Sequence, residues 1–218
     1  ADFMIKDRHV DHDMNNRWDS AKYMRDLIIS SIDATLSNGR KLQLWFSACA
    51  QRCAEEGKPL IWETPAGSKV TQAYRNLIQK RVKAFNTRFY IYEEPNDDEV
   101  EEEFLGRVGM DEKKMTTAAP PNVIHSCDAA HLQITVCRMR DRGIKDFSMI
   151  HDSFGTHCAD AAVMRDLIRQ SIVDMYRDDY LQKWKSDVEF YSGLTMPEPP
   201  KLGEFNIEEV LESIFFFL

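Results

Sequence analysis

Apolar residues recur at intervals of three and four between Trp18 and Leu36. This spacing places their side chains on one face of a helix, and the pattern predicts a helix that stops at Gly39. A second helical pattern runs over 42–56 and ends at Gly57. We expect the two helices to form a helical hairpin that turns at Gly39, because glycine commonly terminates helices.

Short extended segments follow these helices. Residues 59–70 contain two of them around the turn formed by Pro65, Ala66 and Gly67. Residues 84–93 are rich in aromatic and branched side chains, which is typical of a strand. The run from 93 to 103 is acidic and polar, and it predicts a loop.

The second half of the chain begins with another helical pattern. It opens at Pro121, covers about twenty residues and closes at Gly143. Helix returns over 159–180, and a Pro-rich connection then leads to a terminal amphipathic helix over 206–217. Taken together, these patterns predict a helix-dominated α+β protein.

A β-hairpin is predicted between the two helices of the second half. Two short apolar runs, 147–150 and 154–158, flank His151, Asp152 and Ser153. Such runs around a short polar apex are typical of a hairpin. The strands would hold the Asp152 carboxylate rigidly while the turn exposes it. A carboxylate at this position suits a Mg²⁺ ligand, although Asp and Ser are also ordinary turn residues.

Composition narrows the class of protein. The chain has 218 residues, of which 43% are apolar and 29% are charged, so it is globular rather than disordered or fibrous. Its longest apolar run is the five residues 214–218, far short of the roughly 20 needed to span a bilayer. The first residues lack the apolar core of a signal peptide. We therefore expect a cytoplasmic protein that makes no membrane contact.

The net charge of -8 is concentrated in one segment. Eight acids and no base lie between Glu93 and Glu103, which leaves 28 acids against 28 Lys and Arg elsewhere. Local basic patches rather than total charge determine phosphate binding. Such a patch lies over 75–88, which contains five cations and no acid. It is either a solvated face or a nucleic-acid contact that uses Lys80, Arg81 and Lys83.

Cysteines provide a weaker signal. There are five, an odd number, and none forms a Cys-x-x-Cys pair, which favours reduced thiols. Cys49 and Cys53 lie four residues apart in a helical pattern and could share a metal. No second pair with matching spacing follows, so we expect both to be buried core thiols.

Four collinear blocks of sequence resemble the single-subunit, bacteriophage-type DNA-dependent RNA polymerases. The block Met-Ile-His-Asp-Ser-Phe-Gly-Thr is similar to the family's third conserved palm motif, and the block that begins at Asn122 resembles the helix before that hairpin. The other two resemble a strand-turn-strand of the fingers and the aromatic carboxyl terminus. The blocks cover 62–70, 122–132, 149–156 and 211–218.

The resemblance implies DNA-directed RNA synthesis, in which nucleotides are transferred from NTPs to an RNA 3′ end on a DNA template. Asp152 is implied as one of two aspartates that hold two catalytic Mg²⁺ ions, with His151 and Ser153 bordering the metal site. Family A DNA polymerases generally carry His-Asp-Glu at this turn, so Ser153 favours an RNA polymerase. A DNA polymerase fragment and a non-catalytic nucleic-acid-binding module remain as alternatives.

The helix before the hairpin carries three polar residues on one side, because His125, Asp128 and His131 are spaced three apart. A His-Asp-His metal site is one interpretation. His131, however, resembles the family's helix histidine near the primer and the template minor groove, so nucleic-acid contact is favoured for it. Asp128 would orient His131, and His125 is expected to be structural.

Other functional parts of the family have no match in this sequence. There is no Tyr-Gly dipeptide from the nucleotide-binding helix and no second metal-binding Asp in a Ser-Gly-rich motif. We expect the chain to be incomplete alone. It would be one subunit of a split polymerase, whose partner chain carries those parts, or a fragment.

The resemblance also implies how the chain divides. Residues 1–118 would form the distal fingers, including the acidic loop 93–103, and residues 119–218 would complete the palm. The aromatic carboxyl terminus would fold back towards the active centre.

Overall fold

The computed structural model describes residues 14–76, 79–85, 87–92, 101–150 and 153–215. Its elements form two compact units, residues 1–44 and 45–218. The helices are α1 (Met14–Thr35), α2 (Ser37–Glu55), α3 (Glu101–Val108), α4 (Glu112–Asp141), α5 (Ala161–Tyr176) and α6 (Tyr180–Ser192). The strands are β1 (Leu60–Glu63), β2 (Lys69–Gln72), β3 (Gln79–Ala84), β4 (Thr87–Tyr92), β5 (Phe147–Ile150) and β6 (Ser153–Thr156).

The first unit contains α1 and the start of α2. The expected stop at Gly39 is wrong, because the helix breaks at Leu36 and Gly39 lies inside α2. Backbone bonds of helical spacing continue across the break, from Leu36 N to Ile32 O and from Arg40 N to Leu36 O. Glycine terminates a helix when it adopts a left-handed conformation, and Gly39 does not. The predicted helical hairpin therefore does not turn there.

The end of α2 matches the prediction. Gly57 has a φ of 65°, and the N–H of Lys58 donates to the carbonyl of Cys53 while the N–H of Gly57 donates to that of Ala54. These two bonds form a Schellman cap, which satisfies carbonyls that the helix leaves without partners. Cys49 and Cys53 are fully buried on this helix, as expected of core thiols.

Aromatic side chains form the core of the second unit. Trp184 of α6 lies between Trp45 and Phe46 of α2 and Trp62 of β1, with ring centroids 4.9–6.2 Å apart. The rings are tilted or edge-on, arrangements that aromatic pairs favour. The indole nitrogen of Trp62 donates to Ser126 Oγ at 3.0 Å, which ties β1 to α4.

Among the residues that the structure describes, three antiparallel two-stranded sheets lie between helices. β1 and β2 pair around Gly67, whose φ of 82° requires a glycine-like turn, as the sequence predicts. β3 and β4 form a second hairpin, whereas the sequence pattern predicts only one strand there. β3 contains mostly polar residues, so its sequence lacks the aromatic and branched side chains that are typical of a strand. Of the predicted acidic loop, 93–100 lie outside the described residues and the remainder starts α3.

α4 is longer than predicted. It begins at Glu112 rather than at Pro121 and continues through Pro120 and Pro121. Because proline has no N–H, the carbonyl of Thr116 loses its usual helical donor at Pro120. Ser47 Oγ replaces that donor at 3.1 Å. A tertiary hydrogen bond thus stabilises a helix that local sequence rules would end.

The third hairpin is formed by β5 and β6. Their register pairs Ile150 with Ser153 and Ser148 with Gly155, so the predicted hairpin strands are present and Ser153 belongs to a strand. The expected helix over 159–180 is interrupted after Tyr176. Asp179 then caps α6 by accepting from the N–H of Gln182 at 3.1 Å.

The terminal segment differs from the prediction. Instead of an amphipathic α-helix over 206–217, a 3₁₀ helix covers Ile207–Leu211. It packs on α5, with Val210 buried. Residues 216–218 lie outside the described residues, so the expected return of the terminus towards the active centre is untested.

The elements confirm a helix-dominated α+β protein. The predicted division between residues 118 and 119 falls inside the continuous α4. No helix among the described residues is both long and apolar enough to cross a bilayer.

Gly155 offers a test of the β5–β6 packing. A Cβ at this position would lie 3.0 Å from the carbonyl oxygen of Ser148 and 3.2 Å from its Cβ. We expect Gly155→Ala to lower the free energy of unfolding by about 1 kcal/mol, because the strands must separate slightly. Gly203→Ala is the control, since no atom lies within 4 Å there. Urea unfolding measures both, and equal stability of the two variants would contradict the packing.

Candidate active site and nucleic-acid interface

The β5–β6 hairpin ends in a two-residue connection. Ile150 and Ser153 form its last pair, and His151 and Asp152 join them in the sequence. His151 and Asp152 lie outside the described residues, so their roles stay predictions. Ser153 is exposed at the first position of β6.

An apolar cluster supports this hairpin from one side. Met139 at the end of α4, Ile144 and Leu167 of α5 are buried together, and Phe147 and Met149 of β5 pack against them. The alternate residues of β5 face outward, as the two-residue period of a strand requires. The hairpin is therefore held on α4 and α5 through its strands.

His131 is on α4, and its side chain contacts α5 and the β5–β6 hairpin. Its Nε2 is 2.8 Å from the carbonyl oxygen of Ile168, so this nitrogen carries the proton and donates. Its ring centroid is 5.4 Å from that of Phe154 on β6. Only 5% of the residue is exposed. The structure thus assigns His131 a packing contact with the hairpin, and its predicted contact with nucleic acid remains untested.

Burial controls the ionisation of His131. Loss of solvent lowers its pKa below the usual 6.5, against the opposing effects of the Ile168 carbonyl and the charge of Asp128. The imidazole is therefore neutral near pH 7. Asp128 and His125 are exposed on α4, whereas His131 is buried, so the three polar residues predicted to share one side of the helix differ in solvent exposure.

An ionic contact beside this region had no signal in the sequence. Arg138 of α4 pairs with Asp174 of α5 at 2.8 Å, and Arg177 approaches the same carboxylate at 2.9 Å. Burial alone would raise the pKa of Asp174, but its hydrogen bonds and these two cations lower it. The partners lie 36 residues apart, so no local pattern could have shown the pair.

Metal ligation has no support from the described residues. They contain no group of three or more His, Cys, Asp or Glu side chains able to share an ion. Burial raises the pKa of Cys49 to about 12 and that of Cys53 to about 11, which keeps both thiols protonated. Asp152, which lies outside the described residues, stays the metal ligand predicted from the sequence.

The pairing of β3 with β4 determines which residues of the basic segment 75–88 lie opposite one another. The register pairs Arg81 with Tyr90 and Lys83 with Arg88. Arg81, Lys83 and Tyr90 share one face, because directly opposed residues and every second residue of a strand point the same way. Arg81, Lys83 and Tyr90 are exposed. We call this the basic face. The pair Lys80 and Ile91 occupies the alternate register position, so Lys80 is separated from the other two predicted cations.

The tip of this hairpin carries Phe85. Its exposed fraction is 99%, and its φ of 53° is the one positive value among the non-glycine residues that the structure describes. A bulky residue in this conformation costs on the order of 1 kcal/mol. Neither burial nor turn geometry explains a phenylalanine at this position.

The neutral state of His131 predicts a pH dependence. As the pH falls below about 6.5, the unfolded chain binds a proton on this histidine before the folded chain does. The folded state therefore loses stability as the pH falls from the ordinary pKa towards the lowered one. We expect His131→Gln to lose less unfolding free energy than the wild type between pH 7.5 and pH 5.5, as measured by urea unfolding.

The control for this prediction is His125→Gln on the exposed side of the same helix. It should retain the wild-type pH dependence. An identical loss in wild type and His131→Gln would show that His131 does not titrate differently on folding.

Plant polymerases are similar to nearly the whole chain. The chain is 31% identical over 199 residues to the chloroplastic DNA-directed RNA polymerase 3B of Nicotiana tabacum. The aligned region covers 89% of the chain and 19% of that protein. The chain is also 29% identical over 214 residues to the mitochondrial DNA-directed RNA polymerase 1 of Nicotiana sylvestris. That aligned region covers 98% of the chain and 20% of that protein. The chain thus spans about a fifth of the length of these relatives.

The names of these relatives bear on location. Both specify organelles, the chloroplast and the mitochondrion. The expected cytoplasmic location is therefore not confirmed.

A family model also matches the chain. The model of DNA-dependent RNA polymerase matches residues 2–192, which include all of α1–α6 and β1–β6 but not the 3₁₀ helix Ile207–Leu211. The RNA polymerase resemblance seen in the sequence is thereby confirmed, and this chain belongs to the DNA-dependent RNA polymerase family.

Proposed function

We propose that this chain is a catalytic portion of a DNA-directed RNA polymerase, with fingers over residues 1–118 and part of the palm over residues 119–218. It acts on NTPs, a DNA template and a nascent RNA. The observation that carries the proposal is the β5–β6 hairpin, which closes at the Ile150–Ser153 pair around His151 and Asp152 within a family match of 191 residues, 2–192.

Asp152 is the residue that binds Mg²⁺ in this proposal, with His151 and Ser153 beside it. A carboxylate is a hard oxygen donor, and Mg²⁺ commonly takes one or two of them. When bound, two Mg²⁺ ions activate the RNA 3′ hydroxyl and neutralise charge on the leaving pyrophosphate. Because the sequence contains no second Asp in a Ser-Gly-rich motif, the other aspartate in this proposal comes from elsewhere in the polymerase.

The hairpin positions Asp152 through its support. Phe147 and Met149 hold β5 on the apolar cluster, and the His131 ring lies against Phe154 on β6. A neutral, hydrogen-bonded imidazole packs there without the cost of a buried charge. His131 therefore acts as a positioning residue in addition to its predicted contact near the primer.

The remaining parts of the polymerase complete the site. The chain spans about a fifth of the two plant polymerases named above, and it lacks the Tyr-Gly pair that the family uses to hold the nucleotide. We propose that a second polymerase segment carries the nucleotide-binding helix and the other aspartate. That segment is a partner chain, as in a split polymerase, or further sequence of the same polypeptide.

The basic face of β3–β4 is the nucleic-acid contact in this proposal. Arg81 and Lys83 are exposed on it, and a two-stranded ribbon of this kind fits the major groove of DNA. Each phosphate that the face neutralises releases counterions, so binding weakens as salt rises.

Substitution of Asp152 tests the catalytic role. With the complementing segment, Mg²⁺ and a primed DNA template, we expect Asp152→Asn to reduce NTP incorporation at least about 100-fold, because a neutral amide is a weak Mg²⁺ ligand. Template binding should persist. Primer extension with NTPs and, separately, with dNTPs measures both activity and sugar preference.

The control is Asp146→Asn, an exposed carboxylate next to the start of β5. It should retain wild-type incorporation. Undiminished activity in Asp152→Asn would show that the hairpin assignment is wrong, and a preference for dNTPs would favour a DNA polymerase.

The basic face has its own test. We expect the double variant Arg81→Ala and Lys83→Ala to bind a DNA duplex more weakly, and to reduce the slope of log K against log salt by about 2. Lys80→Ala alone should have a smaller effect, because Lys80 occupies the other register position. Filter binding at three salt concentrations measures the slope.

The matched control replaces Arg52 and Lys201, two exposed cations outside this hairpin. If both double variants have the same slope, the segment is a solvated surface.

A further inference from the structure

We propose that Phe85 stacks on an unpaired nucleobase at the tip of the β3–β4 hairpin. The inference rests on the proposed function in one respect, which is that this hairpin binds nucleic acid. It adds a ligand group, the face of a base, to the phosphate contacts of the basic face.

The exposure of Phe85 is the first observation. At 99% it exceeds that of the other exposed large apolar residues among those described, of which Ile214 at 82% and Phe190 at 80% come next. Most of the apolar surface of a phenyl ring lies on its two faces, and removal of that surface from water is stabilising. Within the described structure Phe85 gains almost none of that, so a partner that covers the ring would be stabilising.

The backbone of Phe85 is the second, independent observation. The hairpin connects Ala84 to Thr87 by two residues, and a φ of 53° at Phe85 matches the first central position of the turn that such hairpins favour. Asn, Asp and Gly are the residues that suit this position. The sequence places a large ring there against both local preference and burial, a conflict that is expected at functional sites.

The surroundings of the tip select the class of partner. Lys83 and Arg88 form the pair next to the closing pair of the hairpin, and Arg81 lies opposite Tyr90 beyond them. Cations that follow the phosphates and an aromatic ring that stacks on a base are the combination by which proteins bind single strands. An apolar protein surface would leave these cations without matching charge.

The base must be unpaired for steric reasons. Inside a duplex both faces of each base are covered by neighbouring base pairs, whereas unstacked bases of a loop or single strand can receive an aromatic ring. Phe85 therefore recognises a melted or single-stranded region next to the duplex held by the basic face. DNA and RNA supply the same chemistry, and the experiment separates them.

The experiment titrates the 218-residue chain into four labelled probes of one sequence, followed by fluorescence anisotropy. The probes are a DNA duplex, the same duplex with an internal unpaired bubble, and the bubble strand alone as DNA and as RNA. Phe85→Leu removes the ring but keeps an apolar side chain, Phe85→Tyr keeps a ring, and Phe190→Leu is the control for an exposed ring elsewhere.

We expect Phe85→Leu to weaken binding of the bubble and of a single strand about tenfold, and to leave duplex binding within about twofold of the wild type. Phe85→Tyr and Phe190→Leu should bind like the wild type. The single strand that responds, DNA or RNA, identifies the source of the base.

Two results would overturn the stacking proposal while the proposed function stands. One is wild-type affinity of Phe85→Leu for every probe. The other is an equal loss for duplex and bubble, which would mean that the ring maintains the shape of the hairpin. Phe85→Gly separates this case further, since it relieves the backbone conformation and should still lose bubble binding. If the wild type binds no probe, the stacking proposal and the nucleic-acid role of the hairpin both fail.

Discussion

The continuity of α4 through two prolines is the constraint on which most of the second unit depends. Pro120 removes the helical donor to the Thr116 carbonyl, and Ser47 of α2 supplies the replacement. The same helix receives the indole N–H of Trp62 at Ser126. Because these contacts come from α2 and β1, the aromatic core and the long helix stabilise one another.

The carboxyl-terminal half of α4 carries the contacts that matter for function. His131 donates to the Ile168 carbonyl, and Arg138 pairs with Asp174, so two side chains bind α5 along one helix. Met139 then begins the apolar cluster that supports β5. The geometry of the proposed catalytic hairpin is consequently set by a helix that begins 40 residues before Asp152, at Glu112.

The two hairpins solve different physical problems. β5–β6 is packed on an apolar cluster through Phe147 and Met149, which suits a rigid metal ligand. β3–β4 instead exposes cations and aromatic rings, with Phe85 at its tip. A surface of that kind suits a flexible polymer of phosphates and bases.

Local sequence signals were enough to predict several elements. Gly57 and Gly67 marked real chain reversals because a left-handed conformation favours glycine, and the motif around Asp152 identified the polymerase family. The helix-dominated class followed from the spacing of apolar residues. The predicted helix end at Gly39 was wrong, because glycine also adopts an ordinary helical conformation.

Features that depend on distant partners came from the tertiary structure. Ser47 replaces the helical donor that Pro120 removes from the Thr116 carbonyl, and strand pairing places Arg81 opposite Tyr90 in a segment that the sequence showed only as a run of cations. His131 is buried against α5 and Phe154, a contact that no local pattern showed. Each outcome rests on contacts between residues far apart in the chain, whose free energies no local pattern contains.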